Sequence, residues 1–486
     1  MDIVAEIDAW GRETPERIAH QSGARCLSYG ELLARSDTLA AWLKREGDGD
    51  SSPVAVRGHK EPEMLIAFLG AVKAGRPYVP IDVAIPEQRA ERIIATSGAK
   101  IVLTPDRVAE ITADAQPAPE RNWKAADAFY ILFTSGSTGE PKGVVITHAN
   151  LAAFITWMRA EQRFGTGPET FLNQAPFSFD LSVMDLYLSL VTGGTLFSIG
   201  KEEVASLKRL YEALGRSGVS TWVSTPSFAQ MCLIERTFAQ PMLPSLRRFL
   251  FCGETLAPET ASQLIERFPE AEVWNTYGPT EATVATTSVR VDRALLDAWS
   301  PLPVGYAMPG TRVLIHDENG RPMPSGERGE IVIAGPNVSP GYLGRPDLTG
   351  RVFSELDGTV AYRTGDWGRE RDGLIFFEGR MDSQVKVNGY RIELGDLEAN
   401  LRALPEIADA VVLPVEKAGR IESLAACVVL AVAKTGSDFE MSTRLKSRLS
   451  ERLPAYMLPR KFVFLEAFPM TANGKADRRK LAELLS

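Results

Sequence analysis

The residues best equipped for anion chemistry lie in one stretch, YILFTSGSTGEPKGVVITH, at positions 130–148. Thr134, Ser135, Ser137 and Thr138 bring hydroxyls, and Lys142 adds a compact positive charge. Gly136, Gly139 and Gly143 let the backbone approach a ligand closely. The apolar run 130–133 ahead of them reads as a strand. Successive backbone N–H groups after such a strand can form an anion-binding concavity, so these types together describe a phosphate holder. The Walker A arrangement needs Gly-Lys-Ser/Thr opening a helix. Here Lys142 follows Pro141 and precedes Gly143, and the residue before a proline is pushed out of helical geometry. A kinase-type P-loop is therefore disfavoured, while a plain Gly/Ser surface loop stays open.

Other stretches place charged or aromatic groups on turns. In NTYGPTEATVA, positions 275–285, Tyr277 is suited to stacking on a base. Glu281 in the same turn suits Mg2+, which takes one or two carboxylates plus phosphate oxygens. In YRTGDWG, Asp366 can accept both hydroxyls of a ribose or simply close an Asx-turn. FFEGRMDSQVKVNGYRIEL carries Phe377, Gly379, Arg380 and Asp382. Asp-Gly at 372–373 and Asn-Gly at 388–389 read as hairpin turns around it. PMTANGKADRRKL sets Lys475 in a Gly-containing turn, ordinarily a place for a solvated charge. NQAPFSFDLSVMDLYLSLVTGG offers Asp180 in an apolar setting. A partly buried carboxylate wants a cation, and the ammonium of an amino acid is one; an N-cap for a helix starting near Leu181 is the alternative. Cys252, in RFLFCGETL, reads equally well as a small packing residue.

Taken in order, these motifs resemble those of the adenylate-forming (ANL) superfamily, which includes acyl-CoA synthetases, luciferases and the adenylation domains of non-ribosomal peptide synthesis. The resemblance runs from SYGEL at Ser28 to NGKADRRKL at Asn473, essentially the whole chain. It implies that ATP is bound by Thr134, Ser135, Gly136, Ser137, Thr138, Gly139 and Lys142 and by Asn275, Thr276, Tyr277, Gly278, Pro279 and Thr280. It adds Asp366, Phe377, Gly379 and Arg380 to that set, puts Mg2+ on Glu281 and makes Asp382 the hinge. Lys475 becomes the catalytic lysine, bridging the substrate carboxylate and the α-phosphate. FCGE, NQAPFSFDLSVMD, STPSFAQMCL and LPVGY further resemble the D-alanine–D-alanyl carrier protein ligase family. By that resemblance Asp180 binds the substrate amine, Cys252 fills the space beside its α-carbon and favours D- over L-alanine, and Val284 touches the substrate. The activity implied is ATP-dependent formation of D-alanyl-AMP with release of pyrophosphate. Transfer to the phosphopantetheine thiol of an acyl carrier-type protein in trans follows, for D-alanylation of lipoteichoic or teichoic acid. A free-standing adenylation enzyme for another small amino acid is the alternative, and the arginine-rich composition leaves the final acceptor open.

The elements that must position these groups are legible around them. SYGELLARSDTLAAWLKR has helical spacing, with Ser28 and Glu31 set as a capping box. SPVAVRG reads as a strand, EPEMLIAFLGAVKAG as a helix closed by Gly75, and AKIVLTP as another buried strand. Such alternation implies parallel sheets flanked by helices. The fold class expected is α/β: a large N-terminal domain of parallel-rich sheets with a β-barrel-like subdomain, and a small mobile C-terminal α/β domain. The expected boundaries are 1–381 and 382–486, with DAQPAPERNWKAAD as a linker ahead of the phosphate loop. At 486 residues more than one domain is required. The net charge of −8 argues against nucleic-acid binding. Residues 383–486 carry 16 basic against 13 acidic side chains, a mildly basic face that suits an acidic partner. The acidic N-terminus is no signal peptide, no apolar run is long enough to span a membrane, and the four scattered cysteines fit a reducing cytoplasm without a structural metal site. Histidines at 20, 59, 148 and 316 have no G-x-S-x-G elbow to serve. A cytoplasmic monomer is expected.

Overall fold

The computed structural model describes the chain apart from residues 48–49, 137–139, 166–168, 383, 388, 418–419, 433–435, 471–475 and 486. Two compact units emerge. One comprises Met1–Asp82, Ser97–Leu132 and Gly143–Met381; the other comprises Val83–Thr96, Phe133–Lys142 and Asp382–Ser486. The smaller unit thus gathers two short segments from within 1–381 besides 382–486.

Parallel strands dominate the larger unit, as the alternation of strands and helices predicts. Its nine-stranded sheet has a parallel centre formed by Ile18–Ser22, Thr195–Ser198, Thr170–Asn173, Thr221–Ser224, Arg248–Phe251 and Glu272–Tyr277. The chain feeds this sheet through helices such as Leu181–Val191, every residue of which is buried. In a second sheet, Val54–Gly58 lies between Tyr78–Asp82 and Ile101–Leu103. Ile101–Leu103, expected to be buried, is the edge strand there, and Val102 is exposed. An edge has solvent on its far side, which apolar composition alone does not reveal. A third, antiparallel sheet joins Arg312–His316, Gly329–Ala334, Thr359–Arg371, Phe353–Leu356 and Leu374–Arg380. Phe353–Leu356 and Leu374–Arg380 both pair with Thr359–Arg371 in it.

Local chemistry accounts for several boundaries. The Ser28–Glu31 capping box forms: Ser28 N donates to Glu31 Oε2 (2.8 Å) and Glu31 N to Ser28 Oγ (3.2 Å). The helix Pro62–Lys73 ends before Gly75 at φ +79°. Its last residue, Lys73, is fully buried, donates to Asp37 (2.7 Å) and Ser36 Oγ (2.8 Å) and forms an ion pair with Asp8 (2.8 Å). A buried ammonium is tolerated only with that degree of compensation.

In the smaller unit the hairpin Gln384–Val387 with Tyr390–Glu393 precedes the helix Leu394–Arg402. The strands Ile407–Lys417, Arg420–Leu430 and Lys461–Leu465 form its sheet. Its core joins Ile392, Leu397, Leu401, Val412, Ala426, Met441 and Leu445. Among the described residues no helix is long and apolar enough to cross a membrane.

Candidate active site

Three parallel strands of the nine-stranded sheet deliver predicted site residues from their carboxyl ends, where ligands of open α/β sheets bind. Thr170–Asn173 leads into the segment reaching Asp180, Arg248–Phe251 into Cys252, and Glu272–Tyr277 into the turn around Glu281.

The first exit is anchored by a buried polar cluster. Lys60 donates to the carbonyls of Asn173 and Gln174, both at 2.8 Å. Burial lowers its ammonium pKa to about 7, against the opposing pull of Asp185, Asp82 and Glu203. The Asn173 amide donates to both oxygens of Asp185 (3.1 and 3.2 Å). Burial raises the Asp185 carboxyl well above the usual carboxylate range. Ser198 Oγ donates to Asn173 Oδ1 (2.8 Å), so His20 Nε2, 2.9 Å from that hydroxyl, carries the proton. Asp180 then occupies the position before the helix Leu181–Val191 but makes no side-chain cap bond. Its Oδ2 instead accepts from Thr280 Oγ1 at 2.6 Å. The capping alternative is thereby answered: the carboxylate is tied to the turn after Tyr277.

That turn is tightly built. At Gly278 an added Cβ would lie 2.6 Å from Ala285 Cα, so only glycine fits. Glu281 is fully buried, and Tyr342 donates its hydroxyl to Oε1 at 2.7 Å. Thr283 and Val284 both adopt left-handed backbone, φ +52° and +69°. Ala285 N donates back to Thr283 O (2.8 Å), closing a three-residue turn around Val284. Non-glycine residues held this way cost about 1–3 kcal/mol each, and such strain clusters at ligand sites. Cys252 Sγ donates to the Val284 carbonyl at 3.5 Å, so the two predicted selectivity residues touch, both buried. Thr276 and Asn275 spend their side chains on the Phe251 and Pro303 carbonyls (both 2.8 Å), holding the strand end in place. Pro279 caps the 3-10 turn Thr280–Ala282 that carries Glu281.

The third sheet contributes a carboxylate with fixed partners. Asp366 Oδ1 accepts from Arg380 Nη1 (2.6 Å) and Oδ2 from the Tyr277 hydroxyl (2.5 Å). Burial and the neighbouring carboxylate hold the Tyr277 phenol well above its ordinary pKa, so it stays a donor. The Phe377 ring lies 5.9 Å from that of Tyr277, tilted by 36°. Gly379, at φ +104°, makes the bend that turns Arg380 back toward Asp366.

The Gly/Ser loop falls in the smaller unit. The Thr134 hydroxyl is buried without a partner among the described residues. Ser135 Oγ donates to Arg391 O and accepts from Glu393 N, both at 3.2 Å. At Gly136 an added Cβ would lie 2.2 Å from Glu140 O. Lys142 opens the strand Lys142–Thr147. Asp382 is exposed and accepts from Gln384 N at 3.0 Å. Ser137, Thr138, Gly139 and Lys475 lie outside the described residues. An orphaned buried hydroxyl beside an obligate glycine fits a polyphosphate, whose oxygens accept such donors. No group of three or more His, Cys, Asp or Glu among the described residues is placed to hold a metal. The single buried carboxylate of Glu281 fits Mg2+ shared with phosphate oxygens.

The model of the AMP-binding enzyme family matches residues 7–343, and that of the AMP-binding enzyme C-terminal domain matches 396–475. D-alanine–D-alanyl carrier protein ligases from Bacillus mycoides and Bacillus cereus are 48% and 47% identical over 499 residues, covering 99% of each chain. The chain belongs to the D-alanine–D-alanyl carrier protein ligase family of AMP-binding enzymes. Among solved structures, an artificially fused adenylation–PCP di-domain from Klebsiella oxytoca is 25% identical with a TM-score of 0.82, covering 100% of this chain and 96% of that one. The Vibrio cholerae adenylation domain AlmE, in complex with glycyl-adenosine-5′-phosphate, is 22% identical with a TM-score of 0.86, covering 100% and 97%. At that identity AlmE speaks for the fold of this family member. Motif reading passed over Tyr342 and Asn337, which brace Glu281 and the strained turn. Both belong to GPNVSPGY, whose Gly, Pro and Ser content signals only a loop.

Proposed function

We propose that this family member activates D-alanine as D-alanyl-AMP, releasing pyrophosphate, and passes the D-alanyl group to the phosphopantetheine thiol of a carrier protein in trans, releasing AMP. The observation that carries the reading is the Thr280–Asp180 hydrogen bond (2.6 Å). It ties the candidate amine-binding carboxylate to the turn that holds Glu281 and Val284. An amino acid with its ammonium on Asp180 and its α-carbon near Cys252 would be oriented by the same turn that carries the metal ligand.

The chemistry asks for positioning and charge neutralisation. The substrate carboxylate attacks the α-phosphorus of ATP, and pyrophosphate leaves; both reactants are anions and repel. Lys142 and Lys475 supply positive charge against that repulsion, and Thr134 supplies a hydroxyl donor to the polyphosphate. Mg2+, when held by Glu281, neutralises phosphate charge. Tyr277 and Arg380 fix the Asp366 carboxylate for the ribose hydroxyls. Asp382, at the start of 382–486, is the pivot on which that segment turns between adenylation and thiol transfer. The acyl-adenylate is a mixed anhydride, so water must be kept from it.

Pyrophosphate exchange tests this with a panel of D-alanine, L-alanine, glycine and serine. D-alanine should support the fastest exchange, and Lys475→Ala should abolish it. A stronger response to another small amino acid would move the reading to a free-standing adenylation enzyme of different specificity.

A further inference from the structure

Asn337 belongs to none of the motifs that predict the site, yet its side chain is fully buried and bonded at each polar atom. Its Nδ2 donates to the Ala282 carbonyl (2.8 Å) and to Thr286 Oγ1 (2.9 Å). Its Oδ1 accepts from Thr311 Oγ1 (3.0 Å). The Ala282 carbonyl can only accept, which fixes the orientation of the amide. Its backbone carbonyl accepts from Thr283 Oγ1 at 2.6 Å. The residue therefore grips the chain just before, within and just after the left-handed pair Thr283–Val284.

Strained backbone persists only where its surroundings over-determine it. Two residues bracket this turn from the other side: Gly278, which leaves no room for a side chain against Ala285, and Cys252, on the Val284 carbonyl. Asn337 alone among them bonds across the turn from Ala282 to Thr286. Without its amide, the buried Ala282 carbonyl and Thr286 hydroxyl each lose a partner, and the turn gains reason to relax toward ordinary backbone. Val284 would then leave its place beside Cys252.

We propose that Asn337 is a positioning residue for substrate stereoselectivity, holding the Thr283–Val284 turn in the left-handed form that sets Val284 against Cys252. The inference rests on the reading above, in which the substrate α-carbon lies beside those two residues. Asn337 does not touch the substrate itself; it acts through Val284.

The test measures kcat/KM for D-alanine and for L-alanine in pyrophosphate exchange, with the KM for ATP as an internal reference. Asn337→Asp keeps the shape but replaces both donors by acceptors facing the Ala282 carbonyl. Asn337→Ala removes all three side-chain bonds. Thr311→Val, which spares Asn337 but frees its Oδ1, is the milder variant should the first two fail to fold. Trp222→Phe, which removes a 2.7 Å bond to Ser224 Oγ in a separate core cluster, controls for loss of stability alone. Discrimination on one methyl spans only about 10–200-fold, so a fall of about fivefold or more in the D/L ratio is the expected result for the Asn337 variants. Thr311→Val should shift it in the same direction, while the KM for ATP holds and Trp222→Phe leaves the ratio unchanged. Loss of folded protein lowers both rates equally and cannot move the ratio. Soluble, active variants that keep the D/L ratio of the unmodified enzyme would overturn the proposal. Absence of D-alanine-dependent exchange in the unmodified enzyme would instead overturn the reading beneath it.

Discussion

Replacing Asp180 by asparagine removes one charge and little else. The side chain keeps its size and an acceptor oxygen for Thr280 Oγ1, which now lies 2.6 Å from Oδ2. Asparagine is as good an N-cap as aspartate, and Asp180 makes no cap bond in any case, so the helix Leu181–Val191 should be undisturbed. What disappears is the ionic partner of the substrate ammonium. A hydrogen bond to a charged group contributes about 1.5–3 kcal/mol. At 1.4 kcal/mol per factor of ten, the KM for D-alanine should rise by about 10–150-fold. The interaction is made in ground and transition states alike, so kcat should change little. L-alanine carries the same ammonium and should lose the same factor, leaving the D/L ratio intact. Pyrophosphate exchange with D-alanine varied at saturating ATP, then ATP varied at saturating D-alanine, separates the two KM values. A D-alanine KM within about twofold of the original would refute the assignment and leave Asp180 a structural partner of Thr280.

Cys252→Ala should admit L-alanine better, lowering the D/L ratio of kcat/KM within the roughly 10–200-fold range that one methyl commands; an unchanged ratio removes Cys252 from the selectivity pocket. Tyr277→Phe takes a donor from Asp366 and should raise the KM for ATP by about tenfold or more, with the D-alanine KM unmoved; equal effects on both would point to general loosening. Burial and the cations Lys60 and Arg25 lower the His20 pKa from 6.5 to about 3. The unfolded chain therefore takes up a proton first as pH falls, so this contribution to stability is complete above pH 6.5 and lost downward. At pH 5 the loss is about 2 kcal/mol. His20→Gln should flatten that part of the fall in urea midpoint between pH 7 and 5, and an unaltered slope in the variant would refute it.

Local signals were legible where one residue's chemistry dictates the answer. Ser28 and Glu31 form the expected reciprocal cap. Asp372 and Gly373, both at positive φ, make the expected tight turn between Thr359–Arg371 and Leu374–Arg380. The carboxyl ends of parallel strands followed from the alternation of elements. What escaped depends on contacts distant in sequence. Nothing local says that Val102 faces solvent, that Asp180 pairs with Thr280 one hundred residues on, or that Tyr342 reaches Glu281. Val284 is the sharpest case. A β-branched residue is a poor guess for left-handed backbone, and only the bonds around it, from Thr283, Asn337 and Cys252, keep it there.

The partners of Asp366 carry a consequence for which nucleotides can be used. A carboxylate has about four acceptor positions; Arg380 and Tyr277 take one on each oxygen. The remainder suits a vicinal diol, one hydroxyl to each oxygen, presented by a group that needs no ordering when the sugar arrives. A deoxyribose offers only one of those hydroxyls and forfeits a charge-assisted bond of about 1.5–3 kcal/mol. With the ribose at Asp366 as proposed, a preference for ribonucleotides over their deoxy counterparts is the expected outcome, and exchanging ATP for dATP reads out its size.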